Sequence, residues 1–72
     1  MERKAAEEIV PVLLKAAQDV ADTMAIHERL SGFKSKEYIR AVGQVMFAFD
    51  DLLRPILNEY PDLRPWEKGN NG

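Results

Sequence analysis

The segment Ser31-Gly32-Phe33-Lys34-Ser35 separates two stretches of the chain that share one apolar spacing. Before this segment, the repeating positions are Ala6, Val10, Leu13, Ala17, Val20, Met24 and His27. After it, they are Ile39, Val42, Met46, Phe49, Leu53, Ile56 and Tyr60. Alternating steps of three and four residues keep side chains on one face of an α-helix. Each stretch therefore predicts one long helix, and the segment between them predicts the turn.

The residues around the turn carry signals for ending one helix and starting the next. We expect the first helix to end at Leu30–Ser31, with Gly32 in the left-handed conformation and Phe33 folding back onto the last turn. Ser35 is the best N-cap for the second helix, which Pro61 should stop. The sequence thus predicts an all-α antiparallel hairpin over residues 1–60 and an irregular or disordered tail over residues 61–72. We expect Trp66 in this tail to pack over the open end of the bundle; the alternative is a short recognition segment.

Folding the chain back at this turn pairs the two apolar patterns layer by layer. Leu13 should face Leu53, and Val20 should face Met46, with His27 opposite Ile39 nearest the turn. Pro11 and Pro55 fall in one layer of the same register. A proline inside a helix removes one backbone hydrogen bond, so we expect a bend at Pro55, and either a first-turn position or a kink at Pro11.

Composition limits the class of protein. The chain has 72 residues, a net charge of −2 and no cysteine. A single hairpin of this size seldom buries enough apolar surface to be stable alone. No apolar run approaches the roughly 20 residues that cross a bilayer, and the charged segment Met1–Glu8 is unlike a signal peptide. We therefore expect a cytoplasmic protein that does not enter membranes.

Both helices carry more apolar surface than one neighbour can cover. A second seam runs along the first helix beside the first, and its small residues would let another helix approach closely. On the second helix, Gly43 and Phe47 lie off the main seam. The sequence predicts that a second copy covers these residues in a dimeric four-helix bundle; the alternative is a different protein partner. The predicted interface consists of Leu14, Ala17, Ala21, Ala25, Gly43 and Phe47.

One line of side chains on the second helix keeps the helical spacing away from the main seam. Its members are Lys36, Arg40, Gly43, Phe47, Asp50 and Arg54. Gly43 leaves a notch one turn before Phe47, at a cost to the helix of about 1 kcal/mol relative to alanine. We expect Phe47 to enter such a notch on a second hairpin; the alternative is a binding hot spot for another protein.

Residues that could carry chemistry are few and scattered. His27 is the only histidine, and it lies inside an apolar seam without an acidic partner, as structural histidines do. Asp50 and Asp51 are adjacent, so they point about 100° apart on a helix and form no carboxylate pair. No nucleophile arrangement, phosphate loop or zinc spacing is present. We therefore expect no enzyme, no cofactor and no metal site.

Charge is distributed unevenly along the chain. Residues 29–40 carry a net charge of +3, whereas residues 1–28 and 41–62 carry −3 each. The positive residues are Arg29, Lys34, Lys36 and Arg40. Together they form a possible patch for an anionic partner. Two functions follow as expectations: a non-enzymatic regulator, adaptor or inhibitor acting by self-association and protein binding, or, as the alternative, a nucleic-acid-binding hairpin dimer. Because the flanking acidic regions oppose phosphates, we expect no nucleic-acid binding at physiological salt.

Overall fold

The computed structural model describes residues 1–65, which form two long helices that pack against each other. Helix α1 spans Arg3–Ser31 and helix α2 spans Lys36–Glu59. A single 3₁₀ turn follows at Pro61–Leu63. The predicted all-α class and the helical hairpin are therefore confirmed.

The turn between the helices is built as its residues indicate. Gly32 has a φ of 79°, and its N–H donates to the carbonyl oxygen of Glu28 at 2.8 Å. The hydroxyl of Ser35 accepts a hydrogen bond from the N–H of Tyr38 at 3.2 Å. A left-handed glycine satisfies the last carbonyls of one helix, and a serine N-cap satisfies a first-turn donor of the next. Both predicted helix ends at the turn are confirmed.

Two prolines lie inside the helices. Pro11 is in the interior of α1, not in its first turn, and Pro55 is near the end of α2. Because proline has no N–H, the carbonyls of Glu7 and Asp51 lose their usual helical partners. Both of those residues are exposed, so water can bind the two carbonyl groups.

The core lies at the open end of the hairpin, away from the turn. Its buried members are Ala6, Val10, Leu53, Ile56 and Leu57, with Leu13, Leu14, Tyr60 and Leu63 packed around them. One cluster thus holds both members of the predicted Leu13–Leu53 layer, together with Val10 and Ile56 of the two apolar patterns. Leu63 comes from the 3₁₀ turn, where irregular structure was expected. Residues 66–72 of the predicted tail, with Trp66 among them, lie outside the described residues.

Contacts near the turn differ from the predicted layer. The ring of His27 stacks on Tyr38, with centroids 4.8 Å apart and planes 16° from parallel. Ile39, the predicted neighbour, is 44% exposed. His27 and Ile39 nevertheless border one hollow at the turn. The predicted neighbour therefore lies close to His27, and Tyr38 adds a ring contact that the layer pairing does not include.

Polar contacts close the open end. The N-terminal amine of Met1 lies 3.5 Å from Glu59, and the hydroxyl of Tyr60 donates to the carbonyl of Met1. Arg3 pairs with Asp62, and its guanidinium also lies over the ring of Tyr60, 5.5 Å from the centroid. These contacts join the first residues of α1 to the end of α2 and the 3₁₀ turn.

The hairpin is thin for its length. It measures 43 × 28 × 16 Å and its radius of gyration is 14.9 Å, against about 11 Å for a compact domain of this size. Among residues 1–65, six apolar residues are buried: the five of the core and Val42. Two helices side by side have no third layer, so both flanks of the hairpin remain open.

Candidate functional site

The predicted interface residues gather on one flank of the hairpin. Ala17 of α1 lines a groove of about 300 Å³ together with Met46, Phe49 and Leu53 of α2. Leu14 packs against the core from the same side of α1 by helical spacing. Ala21 is half-buried and Ala25 is exposed. The small side chains leave the floor of this groove open between the helices.

A second hollow adjoins this groove. It has a volume of about 240 Å³ and is lined by Gly43, Met46, Phe47 and Asp50. Phe47 is 73% exposed, so its ring stands out from α2 and does not fill the hollow. A Cβ added at Gly43 would meet no atom within 4 Å. Because Met46 and Asp50 also line the groove, the two depressions form one surface, which we call the groove face.

The groove face has a polar border. Arg54 donates to Asp50 across one helical turn, and both side chains are more than half exposed. This ion pair stands beside the apolar hollow at Gly43. Apolar centres with a polar rim are the usual anatomy of protein interfaces.

A second apolar flank was not singled out from the sequence. On the side away from the groove face, Ile9 and Leu13 of α1 and Leu52, Pro55 and Ile56 of α2 line a hollow of about 450 Å³. Leu52 is 56% exposed. The signal was present, because the spacing from Ile9 to Leu13 and from Leu52 to Ile56 is helical. These residues lie on or beside the main seam, so the spacing alone does not separate them from the residues that form the core.

Four cations lie at or near the turn, in the segment that we call the basic turn. Elsewhere in the described chain Arg3, Lys15 and Arg54 form ion pairs with acidic side chains. Within residues 1–65, the four turn cations make no ion pair within 4.0 Å, and all four are exposed. They are Arg29, Lys34, Lys36 and Arg40. Their charge is therefore available to a partner.

His27 lies in an aromatic cluster at the turn. Tyr38 stacks on one face of its ring, and the Phe33 ring approaches edge-on at 6.0 Å. The hydroxyl of Tyr38 donates to Thr23 at 2.6 Å, and Thr23 donates to the carbonyl of Val20 at 2.6 Å. These contacts hold the turn end of the hairpin together. Among residues 1–65 no group of three or more histidine, cysteine or acidic side chains is placed to hold a metal ion.

Comparison of the chain with known protein families, with curated proteins and with solved structures finds no match. Neither described helix is long and apolar enough to cross a membrane. Function therefore has to be inferred from the residues and their arrangement.

Proposed function

We propose that this chain is a small non-enzymatic protein that acts by self-association and protein binding, as a regulator, adaptor or inhibitor. The observation that carries this proposal is the amount of apolar side chain left outside the core. Ten large apolar residues within the described chain are at least 36% exposed, against six buried apolar residues. Scattered apolar residues are normal on a surface, whereas contiguous apolar grooves mark interaction sites.

Surface area supports the same conclusion. The accessible area is 5539 Å², whereas a compact monomer of 8.2 kDa would expose about 4,500 Å². The excess of about 1,000 Å² is close to the roughly 800 Å² that each partner buries in a stable protein interface. Covering one flank with a second hairpin would bring the area per chain to that of an ordinary globular protein.

We assign the dimer interface to the groove face, with a four-helix bundle as the product. The alanines of α1 and the hollow beside Gly43 admit another helix at close range, and Phe47 supplies an aromatic anchor. The second flank, around Leu52, stays available to a different protein. A chain without cysteine suits a reducing compartment, and the proposal places the protein in the cytoplasm.

Sedimentation equilibrium at micromolar concentrations tests the assembly. We expect a species of twice the chain mass of 8.2 kDa. Ala21→Glu, which puts a charge into the strip of small residues on α1, should dissociate the dimer or unfold it, because an unpaired charge is costly to bury. Ala48→Glu is the matched control, since Ala48 is exposed on the far side of α2. A wild-type species of single-chain mass that melts cooperatively would overturn the proposal.

A second candidate, nucleic-acid binding, is favoured by one observation: the four cations of the basic turn form no ion pair with any residue between 1 and 65. Acidic regions of net charge −3 lie on both sides of this segment in the chain, within a few Debye lengths of about 8 Å. We therefore place this candidate second and expect no gel shift at physiological salt. A micromolar, salt-dependent shift that is lost on reversing Lys34, Lys36 and Arg40 would promote it, because phosphate contacts release counterions.

A further inference from the structure

From the groove face we infer that two copies of this hairpin pair antiparallel along α2, with Phe47 of each copy seated in the hollow beside Gly43 of the other. This inference rests on the proposed self-association and adds its geometry. The partner is a second copy of this chain, and the two-fold axis passes beside position 45 of α2.

The positions on α2 that face the groove have the symmetry that such a pairing needs. In a two-fold interface, if residue i contacts residue j of the partner, then j contacts i. For antiparallel helices, the positions of every contacting pair share one midpoint. Gly43 and Phe47 have their midpoint at position 45, and so do Arg40 and Asp50. One two-fold axis therefore places Phe47 of each copy against Gly43 of the other. The same axis places Arg40 of each copy opposite Asp50 of the other.

The hollow beside Gly43 is large enough for the Phe47 ring of a second copy. Phe47 is 73% exposed, and a Cβ at Gly43 would meet nothing within 4 Å. The hollow between them holds about 240 Å³, whereas an apolar cavity of about 150 Å³ accepts a benzene ring. A hollow bordered by Met46, whose side chain is flexible, can close around the ring.

Charge also selects the antiparallel sense. Arg40 makes no ion pair within its own chain among the described residues, so Asp50 of the other copy would be its partner. The basic turn of one copy would lie towards residues 41–62 of the other, which carry a net charge of −3. A parallel pairing would instead set two basic turns of +3 side by side. Like charges facing each other in this way disfavour that sense.

One pair on the same line is unfavourable. Lys36 shares the midpoint with Arg54, and these two cations would lie at the ends of the contact. Arg54 is already paired with Asp50 in its own chain. Packed helices cross at an angle of about 20–50°, which separates side chains far from the crossing point. The repulsion is therefore small beside the two central contacts.

Distance measurement between spin labels tests the orientation. The chain has no cysteine, so Ser31→Cys places one label at the turn and Gln44→Cys places one near the axis. Both residues are exposed. For the antiparallel pair we expect a long Ser31 distance, comparable with the 43 Å length of the hairpin, and a short Gln44 distance.

The possible outcomes separate the two proposals. Short distances at both positions would show a parallel dimer and overturn this inference while leaving the self-association. A long distance at both positions would place the contact away from α2 and overturn it as well. Absence of any intermolecular coupling at micromolar concentration would overturn the proposed self-association itself.

A charge exchange tests the register. We expect Arg40→Asp and Asp50→Arg each to weaken the dimer about 10-fold, a change of about 1.4 kcal/mol, because two symmetry-related contacts turn repulsive. The double variant should return the dissociation constant to within about 3-fold of the wild type. Lys15→Asp, on the outer face of α1, is the control for a change of net charge. A double variant that is no tighter than the weaker single variant would refute the register.

Discussion

Replacing Leu53 by alanine tests the hairpin core against a matched neighbour. The Leu53 side chain is 9% exposed and belongs to the core with Val10 and Ile56. Leu52, the preceding residue, is 56% exposed. The two leucines differ by one step of about 100° around α2. Leu53→Ala and Leu52→Ala therefore remove the same atoms from opposite environments.

The surroundings of Leu53 set the free energy of unfolding that Leu53→Ala is expected to remove. A buried Leu→Ala change costs about 2–5 kcal/mol, and the upper values belong to sites that keep a closed cavity. Leu53 also lines the groove, so its own chain does not enclose the space left behind, and we expect a loss of about 2–3 kcal/mol. Leu52→Ala should cost about 0.5 kcal/mol or less. A chain of 72 residues has a free energy of unfolding of about 4–11 kcal/mol, so Leu53→Ala removes a large fraction of the stability.

Urea unfolding followed by far-ultraviolet circular dichroism measures both losses. All variants are compared at one protein concentration, because dimer dissociation contributes to the apparent stability. A loss of 2–3 kcal/mol corresponds to a fall in Tm of about 10–20 °C for a domain of this size. Equal losses for the two variants, or a larger loss for Leu52→Ala, would show that α2 presents a different face to α1 and would refute the register.

Three further predictions concern the ends of the hairpin. Gly32→Ala should destabilise the fold by about 1 kcal/mol, because alanine is strained at a φ of 79° although the site has space; an unchanged urea midpoint would contradict this. Ser35→Ala should cost about 1 kcal/mol through loss of the N-cap, measured in the same way, with the exposed Ser31→Ala as control. Partial burial, with the charge of Glu59 adding to it, raises the pKa of Tyr60 above 10.0. The folded chain then favours the neutral phenol. The resulting contribution of Tyr60 to the free energy of unfolding is fully present below about pH 10 and is lost as the pH rises through the pKa of the folded state. Tm should therefore fall less between pH 9 and 11 in Tyr60→Phe than in wild type or Tyr38→Phe, and equal falls would count against it.

Much of the secondary structure follows from the sequence because its causes are local. Steps of three and four residues predict the two helices, and the positions of Gly32 and Ser35 predict where α1 ends and α2 begins. These signals act over one or two helical turns, through backbone dihedral angles and nearby hydrogen bonds. Val10 and Ile56 lie on the predicted seam, but the spacing is the same along both helices and does not predict that the core gathers at the open end.

The tertiary structure determines the contacts between residues far apart in the chain, because these contacts depend on how the two whole helices pack. The packing of the two helices stacks the ring of Tyr38 on His27, a contact that the layer pairing does not include. The packing of only two layers leaves Leu52 on a second apolar flank, and Leu63 reaches the core through a 3₁₀ turn that no pattern signalled. Such contacts join residues far apart in the chain. They depend on small rotations of each helix about its axis, which the local spacing of apolar residues does not specify. The sequence by itself specifies the two helices, their turn and the cations beside it, whereas the groove face exists only once the helices are packed, because residues of both helices line it.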